Sequence, residues 1–336
     1  MQGKEKNTFL KTNDTLFHYS SDMLIIGTAL LLCGTYLNGV NALLHALVCI
    51  TVSVLSEYVC FHIFLKKQTL GDLSAVSTGL IISLLLPAAA PLWLSAMASA
   101  FSVFAVKLPF GGARYSPFVP AAAGVCFVSL SFPQYMFTYA AEQSMGLFST
   151  EDGFVAGTTL LDILSSGKSV SLNTFGRIAL LSGSYPGAIG TTSVLMMAAA
   201  MLYLFVRRPG RLYSTFGFIG ACIAFSVLFP RVGSSLLSSA VLELSAGSLL
   251  FTAVLLINDP VTSPREPDKA LIYGAAAGVI CMLLRHFAKI EDTACFSVLL
   301  INALWPAVVR KDFRTVRQKK IPSKNRRVKK EVSSDG

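Results

Sequence analysis

Four carboxylates stand within or beside long apolar runs, where an ionisable group is unusual: Glu57, Asp72, Glu243 and Asp259. A charge in hydrocarbon costs roughly 2.5–3.5 kcal/mol on insertion scales, so each is a candidate for ion handling. A carboxylate can bind Na⁺ together with hydroxyl and carbonyl oxygens, or it can pass a proton. Asp259 precedes Pro260 and has hydroxyl residues shortly after it, which supply such oxygens. The alternative is an interfacial position, where the cost largely disappears and an Asp before Pro is an ordinary turn former.

The composition places these carboxylates in a membrane protein. The 336 residues are 53% hydrophobic and 14% charged, with a mean hydropathy of +0.62, whereas a soluble chain carries about 25% charged residues. The apolar runs approach the roughly 20 residues that cross about 30 Å of hydrocarbon. A soluble enzyme, a secreted disulfide scaffold and a disordered chain are therefore not expected. The seven cysteines stand singly, without a CxxC pair or Cys/His cluster, so we predict no metal site.

The apolar runs predict an all-α polytopic membrane protein with about ten transmembrane helices. The predicted spans are 22–38, 41–64, 73–88, 90–107, 117–132, 189–206, 213–230, 235–257, 270–286 and 293–309. Several spans are short or are interrupted by Pro or Gly. Such segments at matching places in two halves indicate an internal repeat with a binding site between the halves. We therefore expect a 5+5 inverted repeat, although no repeat is visible in the residues themselves.

Basic residues predict the orientation. If the N-terminus is cytoplasmic, 23 of the Lys and Arg residues lie inside and five lie outside. We therefore expect a protein of the inner membrane with both termini in the cytoplasm. The predicted parts are a cytoplasmic segment 1–21, a membrane domain 22–309 with an outer loop 133–188, and a basic tail 310–336. The tail holds 11 basic and three acidic residues. We expect it to lie near lipid headgroups, which makes membrane lipids its partner and not nucleic acid.

Four segments, in order, resemble motifs of a known family. Residues 110–121 read FGGARYSPFVPA and resemble an FGG…NPFNPA loop, with Ser116 and Val119 in place of two asparagines. Residues 152–162 read DGFVAGTTLLD and resemble DGxSGATPLD, and residues 190–193 read GTTS and resemble GETS, with Thr191 in place of Glu. Residues 259–264 read DPVTSP and match without change. Over roughly residues 50–309 the chain resembles the RnfD/NqrB family, which comprises RnfD of Rnf ion-motive electron-transport complexes and its relative NqrB of the sodium-pumping NADH:quinone reductase.

The resemblance implies a covalent flavin. In that family the threonine of the SGAT motif carries FMN through a phosphoester bond, which a separate flavin transferase makes outside the cytoplasm. The matching position is Thr159, which the orientation places outside. An exposed hydroxyl on a Gly-rich stretch, with Asp152 upstream, suits an acceptor in another enzyme's active site. Thr158 is an alternative acceptor, because the motif has one extra residue and substitutions at 156 and 158, and a chain without covalent flavin is the third possibility.

Glycine and hydroxyl residues are candidates to hold the flavin. The segment 187–193 is Gly-rich and opens an apolar helix, so its backbone N–H groups could bind the phosphate. The candidates are Gly157, Gly190, Thr192 and Ser193. The alternative is that this segment is a helix start with hydroxyl caps. The Thr at 191 removes a possible acceptor or ion ligand of the family, and riboflavin is a possible second, noncovalent flavin.

The resemblance implies a membrane component of an Rnf-type complex, which passes electrons between reduced ferredoxin and NAD⁺ and moves Na⁺ or H⁺. Its partners would be the other subunits of the complex and the flavin transferase. The chain would not be catalytic alone, and we assign no catalytic residue, because the sequence has no nucleotide-binding fingerprint and no cluster cysteines. One alternative is a flavinylated electron-transfer protein outside a full complex. Another is a transporter-like or channel-like homologue without flavin, since the family is similar in fold to urea-type channels.

Overall fold

The first half of the chain forms five apolar helices and a short sixth one. The computed structural model describes residues 3–60, 62, 73–139, 157, 159–160, 164, 177–230, 236–288 and 293–319, and its regular elements there are all helical. The helices are α1 (Gly3–Asn38), α2 (Val40–Cys60), α3 (Ser74–Leu85), α4 (Leu92–Phe101), α5 (Pro120–Ser131) and α6 (Pro133–Met136). The helix α4 continues as a π-helix over Ser102–Lys107.

The second half repeats this helical character and contains a sharply broken helix. Its helices are α7 (Arg177–Ser182), α8 (Val194–Arg207), α9 (Leu212–Leu228), α10 (Leu236–Ser245), α11 (Leu249–Phe251), α12 (Pro267–Leu283) and α13 (Ala294–Lys319). The helices α11 and α12 continue as π-helices over Thr252–Leu256 and Leu284–Ala288. Between α10 and α11 the chain bends by 73°.

The described residues confirm the helical prediction and are consistent with a membrane protein, and each predicted span coincides with a helix. Four helices are long and apolar enough to cross a membrane, and the bent pair α10–α11 makes a fifth. The helices at the other five predicted spans are apolar but have only 10–17 residues. Crossing by all ten, the repeat and the cytoplasmic termini therefore stay predictions. The helix α1 also includes most of the predicted segment 1–21, and α13 extends into the predicted tail 310–336. Both segments are therefore helical where they adjoin the membrane domain.

Glycines set the close contact between α9 and α12. A Cβ atom on Gly274 would lie 2.0 Å from the Ser214 carbonyl oxygen, and one on Gly217 would lie 2.3 Å from the Leu271 carbonyl oxygen. Membrane helices pack by van der Waals contact, and small residues let their backbones approach. The pair α9–α12 therefore depends on the missing side chains at these positions.

We expect Gly274→Ala to destabilise the protein by about 1–3 kcal/mol, because the added methyl group must push the two backbones apart. The midpoint of thermal unfolding in detergent, followed by tryptophan fluorescence, measures this change. Gly220→Ala is the matched control, since Gly220 lies on α9, the other helix of this pair, and a Cβ there meets no neighbouring atom within 4 Å. Equal midpoints for the two variants would contradict the packing argument.

Candidate functional site

A cleft, here called the Thr159 cleft, forms where the predicted outer loop meets the second half of the chain. Its walls are Tyr139, Thr159, Leu160, Tyr185, Pro186, Gly187, Ala188, Thr191, Thr192, Gly247 and Ser248. Thr159 is only 6% exposed. The sequence predicted an exposed hydroxyl, and the structure instead places it in the cleft wall, because Leu160 beside it is drawn into an apolar cluster. Asp152 and the alternative acceptor Thr158 lie outside the described residues.

Two kinds of contact hold the chain around Thr159. The Gly157 N–H donates a hydrogen bond of 2.9 Å to the Tyr139 carbonyl oxygen. On the other side, Leu160 is buried in a cluster with Leu164, Leu180, Tyr185, Leu242 and Ala246. This cluster joins the loop to α7 and α10. Gly157, predicted as a flavin contact, therefore anchors the stretch of chain that carries Thr159.

Tyr185 links the two helices that border the cleft. Its hydroxyl oxygen lies 2.8 Å from the carbonyl oxygens of both Thr192 and Ser245, so its single proton is shared between the start of α8 and the end of α10. Burial raises the pKa of Tyr185 above its usual value, and the phenol stays protonated. Sequence reasoning missed Tyr185, because its two partners are far apart in the chain and no motif marks it.

Two helices begin at the Thr159 cleft. The Ser193 Oγ accepts a hydrogen bond of 3.4 Å from the Met196 N–H, so Ser193 is the N-cap of α8 and its neighbour Thr192 lines the cleft. The helix α11 begins directly after Ser248, which also lines the cleft. Helix starts carry unsatisfied N–H groups and partial positive charge, which favours an anion. The capping and anion-binding interpretations of this segment are thus compatible.

Gly190 does not line the cleft. Its N–H donates a 2.8 Å hydrogen bond to the Leu84 carbonyl oxygen, and a Cβ on it would lie 2.7 Å from the Leu84 side chain. The preceding Ile189 N–H donates to the Leu86 carbonyl oxygen at 3.1 Å. Gly190 therefore lets the segment before α8 cross closely over the end of α3, and its role is to position the cleft wall.

A second cavity, here called the Asp259 cavity, lies where the FGG and DPVTSP segments meet. Its walls include residues of α1, α3, the loop before α5 and the turn after α11: Tyr19, Ser20, Ser74, Ser77, Thr78, Ser116, Val119, Asp259, Pro260 and Val261. Asp259 Oδ2 accepts hydrogen bonds from the N–H groups of Val261 at 3.3 Å and Thr262 at 3.1 Å. The residue therefore forms a turn and also faces a cavity lined with hydroxyls. Burial raises the pKa of the Asp259 carboxyl despite these hydrogen bonds, so it holds a proton to higher pH than an exposed Asp.

Glu57 is buried in an ion pair beside the Asp259 cavity. Its Oε2 lies 2.7 Å from the Lys107 Nζ, and that Nζ also donates to the Ser74 Oγ at 2.8 Å. Glu57 and Lys107 are 3% and 2% exposed, so the carboxylate is enclosed by protein and paired, and its depth in the membrane stays a prediction. Ser74 lines the cavity and connects the pair to it. Lys107 is one of the 23 basic residues assigned to the cytoplasmic side, and the structure shows it buried and paired inside the fold instead of exposed in a loop.

The FGG segment closes the π-helical end that carries Lys107. The Gly112 N–H donates to the Lys107 carbonyl oxygen at 2.9 Å. Gly111 and Gly112 have φ values of 87° and 111°, a backbone region that side chains disfavour. The motif therefore has two adjacent glycines because this turn requires them. The turn fixes the π-helical end of α4 and so holds Lys107 in place.

Glu243 forms the corresponding pair beside the Thr159 cleft. The Arg285 Nη1 lies 3.2 Å from Glu243 Oε2 and donates at 2.8 Å to the Glu243 carbonyl oxygen, while Nη2 donates at 2.9 Å to the Ala246 carbonyl oxygen. Ala246 stands directly before Gly247 and Ser248, which line the cleft. Both charged side chains are buried, so Arg285, one of the five basic residues assigned to the outer side, is enclosed in the fold and not exposed in a loop. When Lys107 and Arg285 are left out of the count, most of the other Lys and Arg residues still lie on the predicted cytoplasmic side.

The structure thus divides the predicted acidic residues between two places. Asp259 and the Glu57–Lys107 pair lie at the Asp259 cavity, and the Glu243–Arg285 pair lies at the Thr159 cleft. Lys107 and Arg285 each stand in the π-helical end of an apolar helix, at the fourth predicted span of their half. Asp72, the other candidate, lies outside the described residues. Neither cationic partner was predicted, because pairing between distant segments leaves no local pattern in the sequence.

Comparison with known proteins is consistent with these motifs. Residues 4–316 match the NQR2, RnfD, RnfE family. The D subunit of an ion-translocating oxidoreductase complex from Ectopseudomonas mendocina is 30% identical over 250 residues, covering 71% of this chain and 73% of the relative. The D subunit of a proton-translocating ferredoxin:NAD(+) oxidoreductase complex from Clostridium ljungdahlii is 28% identical, covering 82% and 83%. The D subunit of a Na(+)-translocating complex of that activity from Acetobacterium woodii is 29% identical, covering 82% of each chain.

Proposed function

This chain belongs to the NQR2, RnfD, RnfE family, and from that premise we propose that it is the RnfD membrane component of an Rnf-type ferredoxin:NAD⁺ oxidoreductase complex. Its apolar helices and its likeness to the D subunits of such complexes over most of their length support this proposal. The other subunits of the complex are then its partners. Since relatives of nearly equal identity are named for H⁺ and for Na⁺, the proposed coupling ion is one of these two.

We further propose that Thr159 carries FMN through a phosphoester bond. The observation that carries this proposal is the position of Thr159 in the wall of a cleft at which α8 and α11 both begin. The Thr159 Oγ1 is the attachment atom, and the backbone N–H groups at the start of α8 suit the phosphate. Tyr139 and Tyr185 supply aromatic walls of suitable chemistry for a flavin. Bound FMN supplies reversible electron transfer, which none of the protein's own side chains at this cleft provides.

The Asp259 cavity is the proposed place of ion handling and of a second, noncovalent flavin such as riboflavin. It is lined by residues of the FGG and DPVTSP segments and carries several hydroxyl groups. Asp259 can accept a proton or bind Na⁺. Lys107 pairs with Glu57 and also donates a hydrogen bond to Ser74 in the cavity wall. Lys107 and Arg285 stand at the fourth span of each half, which supports the proposed inverted repeat, whereas Glu57 and Glu243 stand at the second and third spans.

Mass spectrometry of the full chain, co-expressed with a flavin transferase, tests the covalent attachment. We expect the peptide that contains Thr159 to carry the mass of FMN less one water, localised to Thr159 by fragmentation. The same adduct on Thr158 would move the site by one residue. An unmodified peptide, from cells in which the transferase modifies a control substrate, would contradict the proposal and favour a homologue without covalent flavin.

A further inference from the structure

An apolar groove runs between α1 and α8 on a surface that the Thr159 cleft and the Asp259 cavity do not use. Its walls include Ile25, Ala29 and Leu30 of α1, and Met196, Ala199 and Tyr203 of α8. Ile26, Leu30 and Ala200 are buried at its base, whereas Ala29 and Ala199 are small and exposed, which leaves the groove open along its length. A groove of this kind in a membrane helix pair is accessible to lipid.

One end of the groove is positively charged. Tyr203, in the groove wall, donates to Asp22 Oδ1 at 3.3 Å, and Arg207 Nη2 donates to the same oxygen at 3.2 Å. Arg208 Nε donates to Asp22 Oδ2 at 2.7 Å. Two guanidinium groups thus meet one carboxylate, which leaves an excess positive charge. The Arg207 side chain is 56% exposed and that of Asp22 only 3%, so the excess charge faces outward at Arg207.

The groove and the charge lie on one face of α8. Met196, Ala199, Tyr203 and Arg207 follow at intervals of three or four residues, which is the spacing of a single helix face. From Met196 to Tyr203 the helix rises about 10 Å, within the roughly 15 Å of one hydrocarbon leaflet. The apolar channel therefore leads directly to the exposed guanidinium.

We propose that this groove binds an anionic phospholipid, with an acyl chain along the channel and the headgroup phosphate against Arg207. An apolar wall that ends in an exposed guanidinium matches the two parts of such a lipid, and Arg binds phosphate oxygens in a defined geometry. Asp22 fixes the two arginines by accepting from both. An apolar helix of another protein of the complex would match the channel but not the charge, so charge complementarity favours the lipid.

Photolabelling of the full chain in phosphatidylcholine nanodiscs tests this site, with phosphatidylglycerol carrying a diazirine in its acyl chain as the probe. We expect labelled peptides from α1 and α8, and unlabelled phosphatidylglycerol should compete about fivefold better than phosphatidylcholine, as one basic residue near a lipid surface predicts. Ala199→Leu should fill the channel and remove most of the labelling. Ala198→Leu, at an exposed neighbouring position outside the groove, should leave it unchanged.

The charge is tested independently of the channel. Arg207→Gln should abolish the preference for phosphatidylglycerol, whereas Arg265→Gln, at an exposed position in the turn before α12, should keep it. Equal competition by the two lipids in the unmodified chain, or labelling that persists in Ala199→Leu, would overturn the proposal. Loss of the labelling when the chain is assembled with the other subunits would identify the occupant as a partner helix and would also overturn it.

Discussion

Thr159→Val is expected to remove the covalent flavin and with it ferredoxin-dependent NAD⁺ reduction by the assembled complex, down to background. A phosphoester needs a hydroxyl oxygen on the protein, and valine replaces that oxygen with a methyl group of similar shape. Because Thr159 is buried in the cleft wall, valine occupies the same space and opens no cavity there. Flavin fluorescence of the chain in a denaturing gel measures the attachment, and NAD⁺ reduction by isolated membranes measures the activity.

Two neighbouring variants separate attachment from folding. Thr159→Ser keeps a hydroxyl at the same position and should retain a fluorescent band, and Thr158→Val should retain both fluorescence and activity. Fluorescence lost in Thr158→Val and kept in Thr159→Val would identify Thr158 as the acceptor. A fluorescent band in both valine variants would contradict attachment at either threonine. A complex that is active without any covalent flavin would leave the family membership intact and refute only the covalent electron carrier.

The sequence predicted the helices well and the cleft walls poorly, for a physical reason. Hydropathy acts on each segment independently, so each predicted span coincides with a helix. The functional surfaces depend on contacts between segments that are far apart: the Tyr185 hydroxyl joins α8 to α10, and Arg285 binds carbonyl groups near the break between α10 and α11. Gly190 shows the same limit, because its motif suggested a flavin contact and its neighbour Leu84 shows a packing role. Motifs locate important residues, whereas tertiary contacts assign their roles.

Lys107→Met is expected to destabilise the protein by about 3–5 kcal/mol, because it leaves the buried Glu57 carboxylate without its cationic partner. Lys269→Met is the matched control. It removes the same charge from an exposed pair with Glu266 at 2.9 Å, and such pairs contribute about 0–1 kcal/mol. Unfolding in detergent with increasing denaturant measures both free energies. Equal losses for the two variants would show that Glu57 finds another partner or water when Lys107 is removed.

The double variant Glu57→Gln/Lys107→Met separates a structural role of the pair from a role in ion movement. Removing both charges together removes the unpaired buried carboxylate, so most of the lost stability should return, as in other buried pairs replaced as a unit. Ser74 lies between this pair and the Asp259 cavity, which places the pair beside the proposed ion site. If the folded double variant transfers electrons but no longer moves Na⁺ or H⁺, the charges serve translocation. If it does both, the pair only holds α2, α3 and α4 together, and Asp259 becomes the carboxylate to replace next.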